Sequence, residues 1–314
     1  MSIQQIRITG TFVDEISTDI PSQNWGKEEW GRDFAAMRAI GIKRVIMIRC
    51  GLSRWMTYPS QVLQKEQNAF LPSVDLVRMF LELAEAHDME FFFGTYDSGE
   101  FWLNGLHQKE IDLNRRVADE AWKRYGHFPA FKGWYLTHEA GRNIHGILDI
   151  HASIGKHCKA LSNGLPVLIS PFVDLGKAPD NFGFIKTVGA EQHEKEWDAI
   201  MPGLAGAVDI VAFQDGTIGF GELSDLLAIN KKLAEKHGLE CWTNVETFDR
   251  EMPIKFPPIK WEKLLLKLEA AQKAGYEEGI TFEFSHFLSP HSCYHQAHGL
   301  YRRYGEYLAL HRNT

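Results

Sequence analysis

No stretch of the 314-residue chain approaches the ~20 uninterrupted apolar residues that a membrane-spanning helix requires, which excludes a helical membrane protein. Positive charge is not in excess either. Lys and Arg number 34 against 41 Asp and Glu, for a net charge of −7 and a pI near 6.1. A broad nucleic-acid surface depends on clustered cations that neutralise phosphates, so this balance points to a small or uncharged ligand. Cysteine is scarce: Cys50, Cys158, Cys241 and Cys293 lie far apart without a CxxC pair. That spacing gives neither a zinc knuckle nor a disulfide framework, and leaves reduced thiols in or near a core. A GxGxxG after the first strand-like run, a P-loop, a kinase signature and a serine-nucleophile elbow are all missing, so nucleotide and serine-hydrolase chemistry have no support. The opening "MSIQQIRITGTFVDEI" passes almost at once into a strand-like run without the basic, apolar and small-residue segments of a secretory leader, and the expected location is the cytoplasm.

What is present is a rhythm. The hydrophobic share is 44% and the charged share 24%, those of a globular chain. Eight short apolar runs recur: 6–13, 43–50, 89–96, 131–138, 166–173, 208–215, 239–246 and 279–286. Segments of helical periodicity alternate with them, near 27–40, 73–87, 108–125, 144–162, 191–201, 221–237, 259–274 and 293–311. In "VDLVRMFLELAEAHD" the residues Val74, Val77, Leu81 and Ala84 share one face, and "SDLLAINKKLAEKHG" opens on Ser224 and stops at Gly238. Eight strand–helix units without a Gly/Ser-rich or Pro-rich linker predict one (β/α)8 TIM barrel over residues 1–314, of class α/β. Its site is expected at the C-terminal strand ends, where the long loops 50–72, 97–107, 173–192 and 246–260 emerge. Trp55, Tyr58, Trp102, Phe172 and Phe248, with Phe287 and Tyr294 near the eighth strand, offer aromatic planes for sugar rings, or a hydrophobic cap for the loops.

Two glutamates stand where a strand should end. "FKGWYLTHEAG" closes the fourth run with His138 and Glu139, and "CWTNVETF" closes the seventh with Glu246. A charged side chain is rarely buried unless paired, so either is in solvent or in use. The fourth and seventh strand ends face each other across a barrel, and glycoside hydrolysis needs two facing carboxyl groups, one to protonate the leaving oxygen and one to attack carbon or activate water. Around them, Gln214 and Asp215 end the sixth run and suit sugar hydroxyls, with two glycines following that allow a close backbone turn over a ligand. Asn244 shares the strand parity of Glu246. Arg49 and Asp97 end the second and third runs, where Arg49 could lower a carboxylate pKa and Asp97 could serve as a further acid. Glu283, inside "ITFEFSHF", competes with Glu246 for the nucleophile's place if it points inward, and His286 in the same segment is a candidate substrate contact.

The segments "GWYLTHE", "LISPFVD", "VDIVAFQDGTIG", "WTNVETF" and "HFLSP", in this order, resemble a bacterial glycoside-hydrolase-like family catalogued as a domain of unknown function, from Thr11 to Pro290. The paired strand-end glutamates are similar to those of glycosidase clan A. The resemblance implies a glycosidase with a retaining mechanism, Glu139 as acid/base with a raised pKa and Glu246 as ionised nucleophile, and no cofactor. Clan A usually places Asn before the acid/base; here His138 stands there, as a candidate contact to the sugar. A carbohydrate is the implied small-molecule partner, with no nucleic acid and no membrane. The competing chemistry is a metal-dependent isomerase or epimerase in which Glu139, Asp215, Glu246 and His286 or His138 converge on a divalent cation. His291, His295 and His298 are spaced to share a zinc ion on the last helix, although HxH and HExxH are absent. A non-catalytic carbohydrate-binding barrel is a third reading, against which the presence of both glutamates argues.

Overall fold

The computed structural model describes residues 5–139, 141–142, 146–173, 188–250 and 256–310. Each expected apolar run contains a strand: β1 (Arg7–Val13), β2 (Arg44–Met47), β5 (Glu90–Gly94), β7 (Phe131–Tyr135), β8 (Val167–Ile169), β9 (Ile210–Gln214), β10 (Glu240–Asn244) and β11 (Glu278–Thr281). They pair in parallel, in chain order, and β11 closes back onto β1. The chain is a TIM barrel.

Alternation along each strand divides two apolar layers. Phe12, Ile46, Phe92, Tyr135, Leu168 and Trp242 point into the lumen, and Val13, Met47, Phe93, Trp134 and Val211 point outward. The outward layer packs on α1 (Lys27–Ala39), α3 (Leu76–Ala86), α4 (His107–Tyr125), α5 (Ile147–Leu161), α6 (Ala190–Ile200), α7 (Phe220–Lys236), α8 (Trp261–Lys273) and α10 (His295–Leu310). Two helix starts differ from expectation. Asp75 caps α3 by accepting from Arg78 N at 3.0 Å, which leaves Val74 outside the helix and exposed. Helix α7 begins at Phe220 behind Gly219, so Ser224 lies inside it, while Gly238 follows its end with φ 71° as a left-handed stop.

The loop after β2 is ordered into β3 (Gly51–Leu52), β4 (Trp55–Met56) and α2 (Gln61–Gln67), and β3 pairs with β6 (Tyr96–Asp97) to build a small sheet on the barrel rim. The expected eighth strand stops early, because Glu283 caps the short helix α9 (Phe284–Phe287) through the N–H groups of Ser285 and His286. Cys50 and Cys158 are buried and Cys241 is half-buried, but Cys293 is exposed, outside the expected core setting. The expected loop 173–192 falls largely outside the described residues, as does 251–255 of the loop after β10. Among the described residues no helix is long and apolar enough to cross a membrane.

Candidate active site

Glu139 and Glu246 leave the fourth and seventh barrel strands on lumen-facing parity, continuing the inward positions Tyr135 and Trp242. Their surroundings differ. Glu139 is partly exposed, and its Oε1 lies 3.5 Å from the Tyr135 hydroxyl, which donates to it. Burial raises its pKa to about 7; the charge of Arg49 opposes the rise, and Asp19, Asp14 and Glu246 add to it.

Glu246 is held instead by a guanidinium fork. Arg250 donates from Nε to Oε2 at 2.8 Å and from Nη2 to Oε1 at 2.7 Å. Arg250 in turn lies 4.8 Å over the ring of Phe248. The peptide carrying Glu246 is gripped as well: its N–H donates to Asp215 Oδ1 at 3.0 Å, and its carbonyl accepts from Lys267 at 3.0 Å. Lys267 reaches in from α8 and also pairs with Asp215 at 2.7 Å, with both side chains buried. Below this pair lies a polar floor. Gln214 donates to the Ser170 carbonyl at 2.9 Å, and Asn244 donates to Ser170 Oγ at 3.1 Å.

On the opposite side Arg49 lies 3.5 Å from Asp97 Oδ2, while Asp97 Oδ1 accepts from Trp102 Nε1 and Gly99 N, each at 2.8 Å. Glu139, Glu246, Gln214, Asp215, Asn244, Arg49 and Asp97 thus gather at or just beneath the C-terminal strand ends. Other expected contacts do not. His138 has outward parity and turns its ring toward α4, with Nε2 2.8 Å from Glu110 Oε1 and Trp102 edge-on to it, so it offers no sugar contact. Tyr58 is fully buried among Phe93 and Tyr125, with its hydroxyl toward Glu120, and belongs to the outer core. His286 is buried with both ring nitrogens in use, Nδ1 to Glu283 at 2.5 Å and Nε2 to the Pro21 carbonyl at 2.6 Å. Its pKa rises to about 9, against its own desolvation, because Glu283 stabilises the imidazolium. This pairing and its helix cap commit Glu283 away from the nucleophile's place. Phe248 is packed with Ile20 and Phe287 in an apolar cap. Trp55 is 58% exposed on the rim sheet, 4.9 Å from Phe70.

The His, Cys, Asp and Glu ligand atoms that converge among the described residues are those of Asp97, Glu110 and His138. Glu110 Oε1 already serves the protein, accepting from Ser98 N at 3.2 Å, Asn114 Nδ2 at 3.2 Å and His138, while Glu110 Oε2 and His138 Nδ1 are buried without a partner among the described residues. Such a set reads as a hydrogen-bonded support for the segment that ends in Glu139.

The sequence reading missed Arg250, Lys267, Tyr135 and Asp14. Arg250 stands four residues after Glu246, and Lys267 interrupts the apolar stripe Leu264, Leu268 and Ala271, so both left a signal.

Residues 8–294 match the family model described as Domain of unknown function (DUF4434). The chain belongs to this family. A protein of known structure, described as a "putative alpha-L-fucosidase" from Bacteroides thetaiotaomicron, is 52% identical, with a TM-score of 0.91 over 97% of this chain and 94% of that one. The endo-1,4-beta-mannanase of Rhizomucor miehei shares the fold at 12% identity, with a TM-score of 0.57 over 90% of this chain and 89% of that one. A beta-glucuronidase from an uncultured Clostridium does so at 15% identity, with a TM-score of 0.53 over 91% of this chain and 45% of that one. No functionally curated protein matches the sequence. The structural neighbours of this DUF4434 barrel are therefore glycoside hydrolases.

Proposed function

We propose that the protein is a retaining glycoside hydrolase in which Glu139 is the acid/base and Glu246 the nucleophile. The observation that carries this reading is the contrast between the two carboxyl groups: Glu139 is pushed to about 7 by burial, and Glu246 is gripped on both oxygens by Arg250. A glycosidase needs one carboxyl that holds a proton near neutrality and one that is ionised. In the first step Glu139 gives its proton to the glycosidic oxygen while Glu246 attacks the anomeric carbon, and the bond to the leaving sugar breaks. In the second, ionised Glu139 takes a proton from water as that water displaces Glu246, which returns both groups to their starting states.

The 52% identical relative makes α-L-fucosides the first substrates to try. A screen of aryl glycosides and oligosaccharides, α-L-fucosides included, with and without EDTA, tests the reading. Hydrolysis of at least one glycoside, unchanged by chelation, is expected. Turnover lost on chelation and restored by manganese or magnesium would replace it with metal-dependent isomerase chemistry.

A further inference from the structure

Beside the two glutamates, the strand ends present polar atoms that the protein leaves without a partner. Asp14, directly after β1, is 1% exposed. Its Oδ1 accepts the N–H groups of Ile16 at 3.0 Å and Ser17 at 2.9 Å, an Asx turn, whereas its Oδ2 is buried with no hydrogen-bond partner among the described residues. Arg49 Nε is buried and unpartnered in the same way. Ile48 N donates to the Val13 carbonyl at 3.1 Å, so residues 14 and 49 leave adjacent strand ends. The two form no ion pair, yet Asp14 is the charge that acts most strongly on the Arg49 guanidinium, followed by Glu139. The charges of Arg49 and Asp14 both act on Glu139 in turn, which places the pair near it. At the end of β10, Asn244 Oδ1 is also buried and bare among the described residues. Buried acceptors and donors are nearly always satisfied in native proteins. Bare atoms also occur elsewhere among the described residues, as at Gln5 Oε1, Trp30 Nε1 and His193 Nδ1, but those of Asp14, Arg49 and Asn244 stand at the C-terminal strand ends, as the two glutamates do, where a ligand can complete them.

The turn does not explain a carboxylate here. It uses one oxygen, which an asparagine would supply equally well. Asp14 instead adds a negative charge that works against the ionisation of Glu139. The second oxygen is what an asparagine would lack.

We infer that Asp14 and Arg49 read a pair of neighbouring hydroxyls on the terminal sugar ring, with Asp14 Oδ2 accepting from one and Arg49 Nε donating to the other. Asn244 Oδ1 accepts from a hydroxyl across the ring. The inference rests on the glycosidase reading of the site and narrows the substrate to a glycoside whose terminal ring carries a free vicinal diol.

Asp14→Asn tests it, because the variant keeps the turn's acceptor and puts a donor at the bare position. Binding of free L-fucose, D-galactose, D-mannose and D-xylose, and of the deoxy analogues of each, is measured on the full chain by ligand-observed NMR titration. Wild type is expected to bind at least one of these sugars and to prefer it over one of its deoxy analogues. Asp14→Asn, melting as wild type does, should bind that sugar at least about tenfold more weakly and lose the preference. On a hydrolysed aryl glycoside, assayed well below pH 7 so that Glu139 keeps its proton without the charge of Asp14, its KM should rise. Arg49→Lys, which keeps the charge but lacks Nε, should show the same loss and serves if Asp14→Asn is unstable. Undiminished affinity and preference in both variants overturn the inference, as does failure of wild type to bind any of the sugars. Hydrolysis with Asp14-independent binding would remove this inference alone, and Asp14-dependent binding without hydrolysis would remove the glycosidase reading alone.

Discussion

Gly216 shows how narrowly the seat of Glu246, the proposed nucleophile, is built. A Cβ added there would come within 1.6 Å of Glu246 Oε2 and 2.5 Å of Arg250 Nε, so the glycine makes room for the carboxylate–guanidinium pair. The sequence suggests a different use, a close turn over a ligand, because a DG dipeptide says that space is needed and not what fills it. Gly216→Ala should displace Glu246 by an ångström or more, and displacement on that scale costs roughly 100-fold in rate. Stability should change little by comparison, since the site lies beyond the end of β9. Steady-state kinetics beside a thermal melt check this; kcat within about twofold of wild type would mean that Glu246 does not react from this seat. Residue by residue, the sequence was most legible where a charge ends an apolar run, as at Glu139 and Glu246. The same signal marks Asp14 at the end of "GTFVD". It was least legible for Tyr58 and His286, because an aromatic or histidine after a strand carries no mark of whether the loop turns it to the mouth or packs it behind the rim.

Helix α8 contributes more than packing, since Lys267 crosses from it to hold Asp215 and the Glu246 carbonyl together. Removing one partner of a buried ion pair leaves the other charge uncompensated and costs about 3–5 kcal/mol. Lys267→Met should therefore lose that much in chemical denaturation. Adding Asp215→Asn should recover most of the stability, while kcat stays low because the Glu246 carbonyl still lacks its donor. Full recovery of both would show that α8 merely neutralises a charge. The long elements were readable, since the eight barrel strands lie within continuous apolar runs, buried on both faces, and the helices between them span enough residues to show a period of 3.6. The two-residue strands β3, β4 and β6 are too short for any period, and nothing in "ITFEFSHF" shows that Glu283 will cap a helix and end β11 at Thr281.

Barrel closure is what brings carboxyl groups that are remote in sequence to one mouth, since β11 pairing with β1 puts the fourth and seventh strand ends on the same rim. Burial at the fourth strand end keeps a proton on Glu139 up to about pH 7, and Arg250 holds the group at the seventh. The sign of the pH dependence follows. In the proposed mechanism the first step uses protonated Glu139, so kcat/KM for a substrate with a poor leaving group should be sustained below about pH 7 and fall about tenfold per unit above it. Glu139→Ala should abolish that alkaline limb, and its loss should be severe for a natural linkage but mild for the first step of an activated aryl glycoside, whose leaving group departs without a proton. Azide, a small nucleophile that needs no general base, should then capture the glycosyl-enzyme with net retention. Glu246→Ala should lose turnover of every substrate, and azide attacking the anomeric carbon directly should give the inverted product. Product configuration by NMR separates the two outcomes. Equal losses on activated and natural substrates in both variants, or an inverted azide product from Glu139→Ala, would show that the roles of the fourth and seventh strand ends have been misassigned.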